Sequence, residues 1–416
     1  MEHRIEVLKE SDLDAYVEIM AKAYPGLKII SDQDRQNMRD RLASTFGDSS
    51  TTIYGLTHGG RLVAGMILYD FQMNVRGTML LAGGLGSLAV DMLHRKHKVA
   101  KAMVTYYLTH FRQRGAPLAL LYPFRTDFYR RMGFGYGTKM NRYVFKPERL
   151  RVRERGRQHL EYLDGEDAER VLNCFDRYAF STHGMIPGSG ERVKRVLSNP
   201  AMRTVGYVEQ SQILGFINFE FESQGHFLKN DLHVRQLIYQ ESTVLTELLA
   251  FLQSLSDQFE WIVLDTQDSD FHHLLSNPSS RADALIPSVY HESNTQGVGL
   301  MYRIIDLGLL FDESTGIRFG DQPITLRIDL NDSFMSDNGR DWLISFEDGQ
   351  AQLLESGHAD ATLRIDVSDF SSVIMGAISL EQLVAYGLAE LSDHRLVKQA
   401  SDLFATAAEP VCLTAF

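Results

Sequence analysis

Cysteine is nearly absent: the 416 residues hold two, Cys174 and Cys412, far apart and without metal-ligand spacing. That argues against a disulfide framework or a structural zinc site and leaves ordinary buried or half-buried thiols. Long hydrophobic runs are missing as well. No apolar stretch approaches the roughly 18–20 residues needed to span a bilayer, and Met1-Glu2-His3-Arg4-Ile5 lacks the apolar heart of a signal peptide. A cytoplasmic protein without a membrane partner is expected. Positive charge is in deficit too, 42 Lys and Arg against 54 Asp and Glu, for a formal net charge of −12. Broad phosphate-backbone binding needs a basic face, so nucleic acid is not an expected partner; a cationic substrate is compatible with the balance. No disorder signature is present either, because hydrophobic residues make up 44% and charged residues 23%.

What is there exceeds one core, and two or three domains are expected. Residues 1–150 read as alternating strands and helices. Residues 5–8 suggest a first strand, and Asp12 stands as N-cap before a helix whose apolar residues Ala15, Ile19, Met20 and Ala23 recur at helical spacing. Two strand-like runs, 51–56 and 62–68, flank the hairpin signal Gly59-Gly60. Residues 80–90 read as a strand broken by glycines, 99–114 as a long helix ended by Gly115, and 118–122 as a buried strand. This order predicts a mixed α/β sheet. After a basic connection at 146–157, residues 151–300 repeat the pattern: a hairpin over 203–219, a strand at 234–239, a helix carrying Leu245, Leu248, Leu249 and Leu252, and a strand at 261–264. The repeat lacks the glycines and cationic turn of the first copy and reads as a degenerate duplicate. From residue 301 the texture changes to period-two strands at 324–330, 342–346 and 363–367, then three short helices, the last at 397–404. That final α+β unit ends in a partly apolar terminus, 409–416. Trp261 and Trp342 read as core, Tyr136 as structural, and His272-His273 as loop surface without partner spacing for a metal.

One stretch carries chemistry. Leu88-Ala89-Val90 closes a strand, Arg95-Lys96-His97-Lys98 forms a cationic turn, and Val99-Ala100-Lys101 opens a helix. Such a junction offers unpaired backbone N–H groups and the positive end of a helix dipole, which suits a pyrophosphate. A basic turn before a helix is otherwise simply solvated surface. Downstream, Phe128-Tyr129-Arg130-Arg131-Met132-Gly133-Phe134 places a tyrosine among aromatics, and the chain ends Cys412-Leu413-Thr414-Ala415-Phe416.

Arg95 to Ala100 resembles the Arg/Gln-x-x-Gly-x-Gly/Ala acetyl-CoA turn of the GNAT acetyltransferases, with Lys98 where that family most often has glycine. Phe-Tyr-x-x-x-Gly-Phe resembles the GNAT segment whose tyrosine is the general acid. The length, the domain order and the terminal phenylalanine resemble the Eis (enhanced intracellular survival) branch. The resemblance implies two tandem GNAT-type mixed-sheet domains, 1–150 and a degenerate 151–300, then a sterol-carrier-protein-like domain, 301–416. It implies acetyl-CoA as co-substrate, held by Leu88, Ala89, Val90, Arg95 to Lys101, Phe124 and Arg125, with no metal. It implies acetyl transfer to the primary amine of a small molecule, Tyr129 as general acid and the Phe416 carboxylate as general base. Some relatives have an acidic residue before the terminal phenylalanine, contributing to a negative pocket for polyamine-like drugs; here Ala415 stands there, and aminoglycosides are one possible acceptor class. A homo-oligomer, hexameric in several members, is a further implication. Two other readings stand beside this one: a lipid-binding protein built on an apolar tunnel within 324–404, and an acetyltransferase acting on protein lysines.

Overall fold

The computed structural model describes residues 4–152, 158–226 and 229–416. The part of the basic connection at 153–157 lies outside the described residues. Two compact units are distinguished: residues 1–137 with 300–409 and 415–416, and residues 138–299 with 410–414.

The first unit contains a seven-stranded sheet. Its strands, numbered along the chain, run in the order β1 (Arg4–Val7), β2 (Thr51–His58), β3 (Arg61–Val75), β4 (Thr78–Val90), β5 (Leu118–Leu121), β14 (Met301–Ile304) and β6 (Gly135–Tyr136). Helices α1 (Leu13–Ala23), α2 (Asp32–Ala43), α3 (Val99–Gln113) and α4 (Thr126–Arg130) accompany it. In α1 the buried positions Leu13, Tyr16, Val17 and Met20 make one face. Asp12 does stand before that helix, but its side chain makes no cap bond to α1. It accepts instead from the Lys9 N–H at 2.8 Å, closing the preceding turn.

The glycines at 83, 84 and 86 do not break β4, which is continuous over 13 residues. They thin it. A Cβ on Gly83 would sit 2.3 Å from the Phe111 ring, and one on Gly84 would sit 2.3 Å from the Phe71 ring, so aromatic rings occupy the space that side chains would need. The sheet carries a bulge where Ser87 and Leu88 oppose Met66 alone, between the pairs Gly65↔Ala89 and Ile67↔Gly86.

The second unit repeats the first. Its sheet order is β8 (Leu160–Leu163), β9 (Met202–Glu209), β10 (Gln212–His226), β11 (Lys229–Tyr239), β12 (Trp261–Thr266), β7 (Lys139–Phe145) and β13 (Asn294–Val298), with β12 preceding β7. Helices α5 (Ala168–Ser181), α6 (Gly190–Leu197) and α7 (Ser242–Gln253) stand where α1, α2 and α3 stand in the first copy. In each copy the fourth and fifth strands of the sheet are parallel. The strands cross the expected boundaries at 150 and 300: β7 belongs to the second sheet and β14 to the first. Each is antiparallel to the fifth strand of its sheet. Trp261 is half-buried, flanked by Lys146 and Arg281, and is not a closed core residue as expected; Trp342 is buried.

The third sheet, in the first unit, orders β17 (Gln350–Leu354), β16 (Asp341–Glu347), β15 (Ile324–Asn331), β18 (Ala361–Asp366) and β19 (Ala389–Leu391). The short α8 (Leu307–Leu310) precedes it, and α9 (Val367–Ile374), α10 (Leu380–Ala385) and α11 (Val397–Phe404) complete the fold. Strict alternation along β15 confirms one buried face. Buried Phe311, Phe319, Phe346, Phe370 and Phe404 interlock edge to face and in tilted stacks, filling the core. A groove between residues 310–319 and Gln350-Ala351 offers about 110 Å³, well short of the roughly 300–1,000 Å³ of a typical ligand pocket. This packing speaks against a lipid tunnel there.

Three contacts seat this sheet's helices on the first sheet. Ser371 Oγ accepts from the Ile304 N–H at 2.9 Å, and Ser372 Oγ donates to the Tyr136 carbonyl at 2.9 Å. Arg76, in the β3–β4 turn, donates to the carbonyls of Phe404 and Ala405 at 2.8 Å, satisfying the last turn of α11.

Candidate functional site

The site grows from an interruption of pairing. Strand β5 runs beside β4 only from Ala82↔Leu118 to Leu85↔Leu121. Past Leu85, residues 86–90 of β4 have no ladder partner on that side among the described residues. An open edge is a row of donors and acceptors available to an extended, amide-bearing ligand. The bulge at Ser87 and Leu88 falls in this stretch, with Ser87 at φ 50°.

Two tyrosines that the sequence did not single out are bound to the bulge. Tyr16 donates to the Ser87 carbonyl at 2.5 Å, and the Tyr24 hydroxyl donates to the Leu88 carbonyl. Leu88, expected to offer main-chain hydrogen bonds to a cofactor, thus has its carbonyl already engaged. Burial pushes the Tyr24 phenol's pKa up, and the nearby Arg95 charge opposes the shift. Lone tyrosines dozens of residues from β4 give no local signal, so only the fold could bring them here.

Beyond Val90, Asp91 turns the chain by accepting from the Leu93 N–H at 2.8 Å. Arg95, Lys96, His97 and Lys98 follow, all exposed. Lys96 and Lys98 both adopt the left-handed conformation, at φ 66° and 60°. Lys98 therefore supplies the geometry that a glycine would take without cost. As N-cap of α3 it makes no side-chain cap bond, and the first turn holds no acidic residue. The opening N–H groups of a 15-residue helix are left pointing at a cationic turn, a suitable place for an anion. Val99 is buried in the core beneath and Ala100 is half-buried. Lys101 lies over the Phe334 ring, 5.3 Å from its centre.

Tyr129, on α4, is buried. Its ring meets Phe124 at 5.7 Å and Phe128 at 5.1 Å, and Phe124 in turn meets Tyr24 at 6.4 Å. Desolvation, reinforced by Tyr24, holds the Tyr129 phenol far above its ordinary pKa, so it stays protonated. Arg125 is tied to Asp127 through two bonds of 3.0 and 2.7 Å. Those bonds leave it a surface charge at the edge of the aromatic group.

Phe416 reaches the same strand from the other direction. Its ring packs against Tyr69, Phe71 and Tyr122 at 5.6, 4.9 and 5.2 Å. Its carbonyl carbon lies 3.5 Å from where a Cβ on Gly86 would be. The Phe416 main chain is therefore beside the first unpaired residue of β4, and the bulge follows at once. Elsewhere, Asp270, His272 and His273 bring their ligand atoms within 4.8 Å of one another, a proximity not read from the sequence. No described helix is long and apolar enough to cross a membrane.

Comparison with known proteins places the fold among known families. Residues 4–137 and 189–304 match acetyltransferase (GNAT) domain families, and residues 314–413 match the sterol carrier protein domain family. An uncharacterised N-acetyltransferase of Streptomyces avermitilis is 22% identical over 98% of both chains. Among solved structures, Eis1 from Mycobacterium abscessus superposes over the whole of both chains with a TM-score of 0.79 at 19% identity. A GCN5-related N-acetyltransferase from Kribbella flavida does so with a TM-score of 0.76 at 19% identity. With two GNAT domains followed by a sterol carrier protein domain, the chain belongs to the GNAT N-acetyltransferases and has the Eis-type fold.

Proposed function

We propose that this enzyme transfers the acetyl group of acetyl-CoA to a primary amine of a small molecule, polyamine- or aminoglycoside-like. The observation that carries the reading is the Phe416 carboxyl lying beside Gly86, where β4 loses its partner strand. Acetyl-CoA supplies an activated acyl group. Residues 88–90 would hold its amide-bearing arm along the open edge. The N–H groups opening α3, with Arg95 to Lys98 around them, would hold its phosphates; Phe124 and Arg125 would border it.

The Phe416 carboxylate takes a proton from the substrate ammonium, directly or through water. The freed amine attacks the acetyl carbon, the new C–N bond forms and the C–S bond breaks. Tyr129 gives its proton to the departing thiolate and regains one from the nitrogen now bound to the acetyl carbon. Backbone N–H groups near Leu88 would polarise the acetyl carbonyl. The nucleophile is the substrate's own nitrogen, so the scheme needs no metal. Tyr69, Phe71 and Tyr122 pack on the Phe416 ring, an aromatic surrounding that would suit an alkylammonium through cation–π attraction, and a net charge of −12 draws cations.

The test is coenzyme A release from acetyl-CoA across a panel of primary amines. Turnover with small polyamines or aminoglycosides is the expected result. Silence with every amine would overturn the reading, and turnover confined to lysine side chains of proteins would replace the acceptor class. The homo-oligomer, hexameric by family resemblance, is tested by light scattering, which should give six times the chain mass.

A further inference from the structure

The second GNAT copy has no basic cofactor turn, yet it retains the splayed sheet. Strand β11 pairs with β12 only over Asp231↔Trp261 to Val234↔Leu264, leaving the rest of β11, to Tyr239, unpaired on that side among the described residues. The residue that follows β12 is Gln267, buried with 8% of its surface exposed.

A different chain segment is bound at this place. Residues 410–414 belong to the second unit, whereas 415–416 belong to the first. Along those five residues, four hydrogen bonds reach four separate positions of the second unit. Thr138 Oγ1 donates to the Pro410 carbonyl at 2.6 Å, and the Val411 N–H donates to the His183 carbonyl at 2.8 Å. The Cys412 N–H donates to Gln267 Oε1 at 2.6 Å, and Thr414 Oγ1 donates to the Ile186 carbonyl at 3.1 Å. Gly184, at φ 86°, permits the close approach: a Cβ there would lie 2.7 Å from Pro410 and 2.9 Å from Val411. Cys412 and Thr414 are buried, and Val411 and Leu413 pack on the cluster around Val171 and Phe175.

We infer that the second copy serves as a clamp for the tail, and that Gln267 and Thr138 are positioning residues for acetyl transfer. The inference rests on the reading of the Phe416 carboxylate as the base. A segment outside any helix or strand stays ordered only where it is tied down, and Phe416 lies only two positions beyond the last clamp bond. Ordering the tail beforehand removes the entropy of bringing the base to its place. Among the four bonds, those of Gln267 and Thr138 come from the body's side chains, so substitution can remove them one at a time.

The experiment compares intact enzyme with Gln267→Met, Gln267→Glu and Thr138→Val, and with enzyme extended by one residue after Phe416. Each is assayed for coenzyme A release and for the rate at which carboxypeptidase frees Phe416. Methionine keeps the glutamine's length but removes Oε1, the acceptor of the Cys412 N–H, which should release the tail about tenfold more often. The expected result is faster loss of Phe416 and a kcat reduced by about tenfold, with KM for acetyl-CoA unchanged. Glutamate, which still accepts from Cys412, restores both, and Thr138→Val repeats the Gln267→Met signature from the other end of the segment. Raising the pH, which deprotonates the amine in solution, narrows the gap between Gln267→Met and intact enzyme.

Wild-type kcat and wild-type Phe416 release in both Gln267→Met and Thr138→Val overturn the clamp. If extension leaves turnover intact, the base reading fails instead, and the catalytic role of the clamp falls with it. The carboxypeptidase rates then decide whether Gln267 holds the tail at all.

Discussion

Arg303 offers the sharpest energetic test of how the sterol carrier domain supports the segment that carries Tyr129. The residue lies on β14 with none of its surface exposed. Its Nη1 donates to the carbonyl of Met132, three residues beyond Tyr129, and its Nη2 donates to both oxygens of Asp332 at 2.8 and 2.7 Å. The Asp332 carboxylate also accepts from the N–H groups of Phe334 and Met335 at 3.2 and 2.9 Å and from Asn338 Nδ2 at 3.2 Å. Burial lowers the guanidinium's pKa, and Asp332 opposes the shift.

Arg303→Leu leaves that carboxylate buried without a counter-charge, a loss of about 3–5 kcal/mol out of the roughly 5–15 kcal/mol that stabilises a typical domain. At about 2–4 °C per kcal/mol for a unit of this size, Tm should fall by on the order of 10 °C. Adding Asp332→Asn removes the stranded charge while keeping an acceptor for the neighbouring amides. The double variant should regain about 2 kcal/mol over Arg303→Leu. Urea unfolding at neutral pH measures all three proteins. Stability of Arg303→Leu within about 1 kcal/mol of wild type, or a double variant no better than the single, would refute the charge argument.

Three further outcomes follow from the same contacts. Tyr129→Phe should keep the fold and the KM for acetyl-CoA but lower kcat by about 100-fold; steady-state kinetics at saturating amine checks it. Lys98→Gly exchanges a left-handed lysine, strained by about 1–2 kcal/mol, for a residue whose greater unfolded freedom costs about 0.5–1 kcal/mol. Stability should rise slightly, and KM for acetyl-CoA should stay within about threefold if main-chain N–H groups hold the phosphates; a larger rise would assign the binding to the lysine ammonium. Burial raises the phenol pKa of Tyr16, Tyr107 and Tyr129 well above 10 and moves Tyr54 and Tyr143 up to about 12. Below the unfolded-chain value of about 10 these groups are protonated in both states and their stabilising effect is complete. Above it the unfolded phenols ionise first, so the urea midpoint should hold steady to about pH 9 and then fall; a flat profile to pH 11 would contradict the burial.

Features written in local pattern were legible in the sequence. Gly59-Gly60 marks a hairpin whose two residues both have positive φ, and the alternation at 324–330 became a half-buried strand. The duplicated order emerged from the same local periodicities. The cationic turn at 95–98 was visible because charge and a helix start adjoin in sequence. The left-handed Lys96 and Lys98 were not, because a lysine carries no preference for that conformation. The glycines of β4 misled for a related reason: composition reports a missing side chain but not the Phe111 or Phe71 ring that fills the gap. The exchange of β7 and β14 was illegible because an apolar strand reads the same whichever sheet accepts it. Tyr16 and Tyr24 stayed hidden among other half-apolar helix residues. Their partners, the Ser87 and Leu88 carbonyls, are more than 60 positions away.

The most direct measurement of the central claim is coenzyme A release by intact enzyme beside enzyme carrying one added residue after Phe416, both with a primary amine acceptor. The account predicts that the addition, by moving the carboxylate away from Gly86, lowers turnover by about 100-fold or more while acetyl-CoA binding persists. Equal turnover in the two proteins would contradict it and place the base elsewhere.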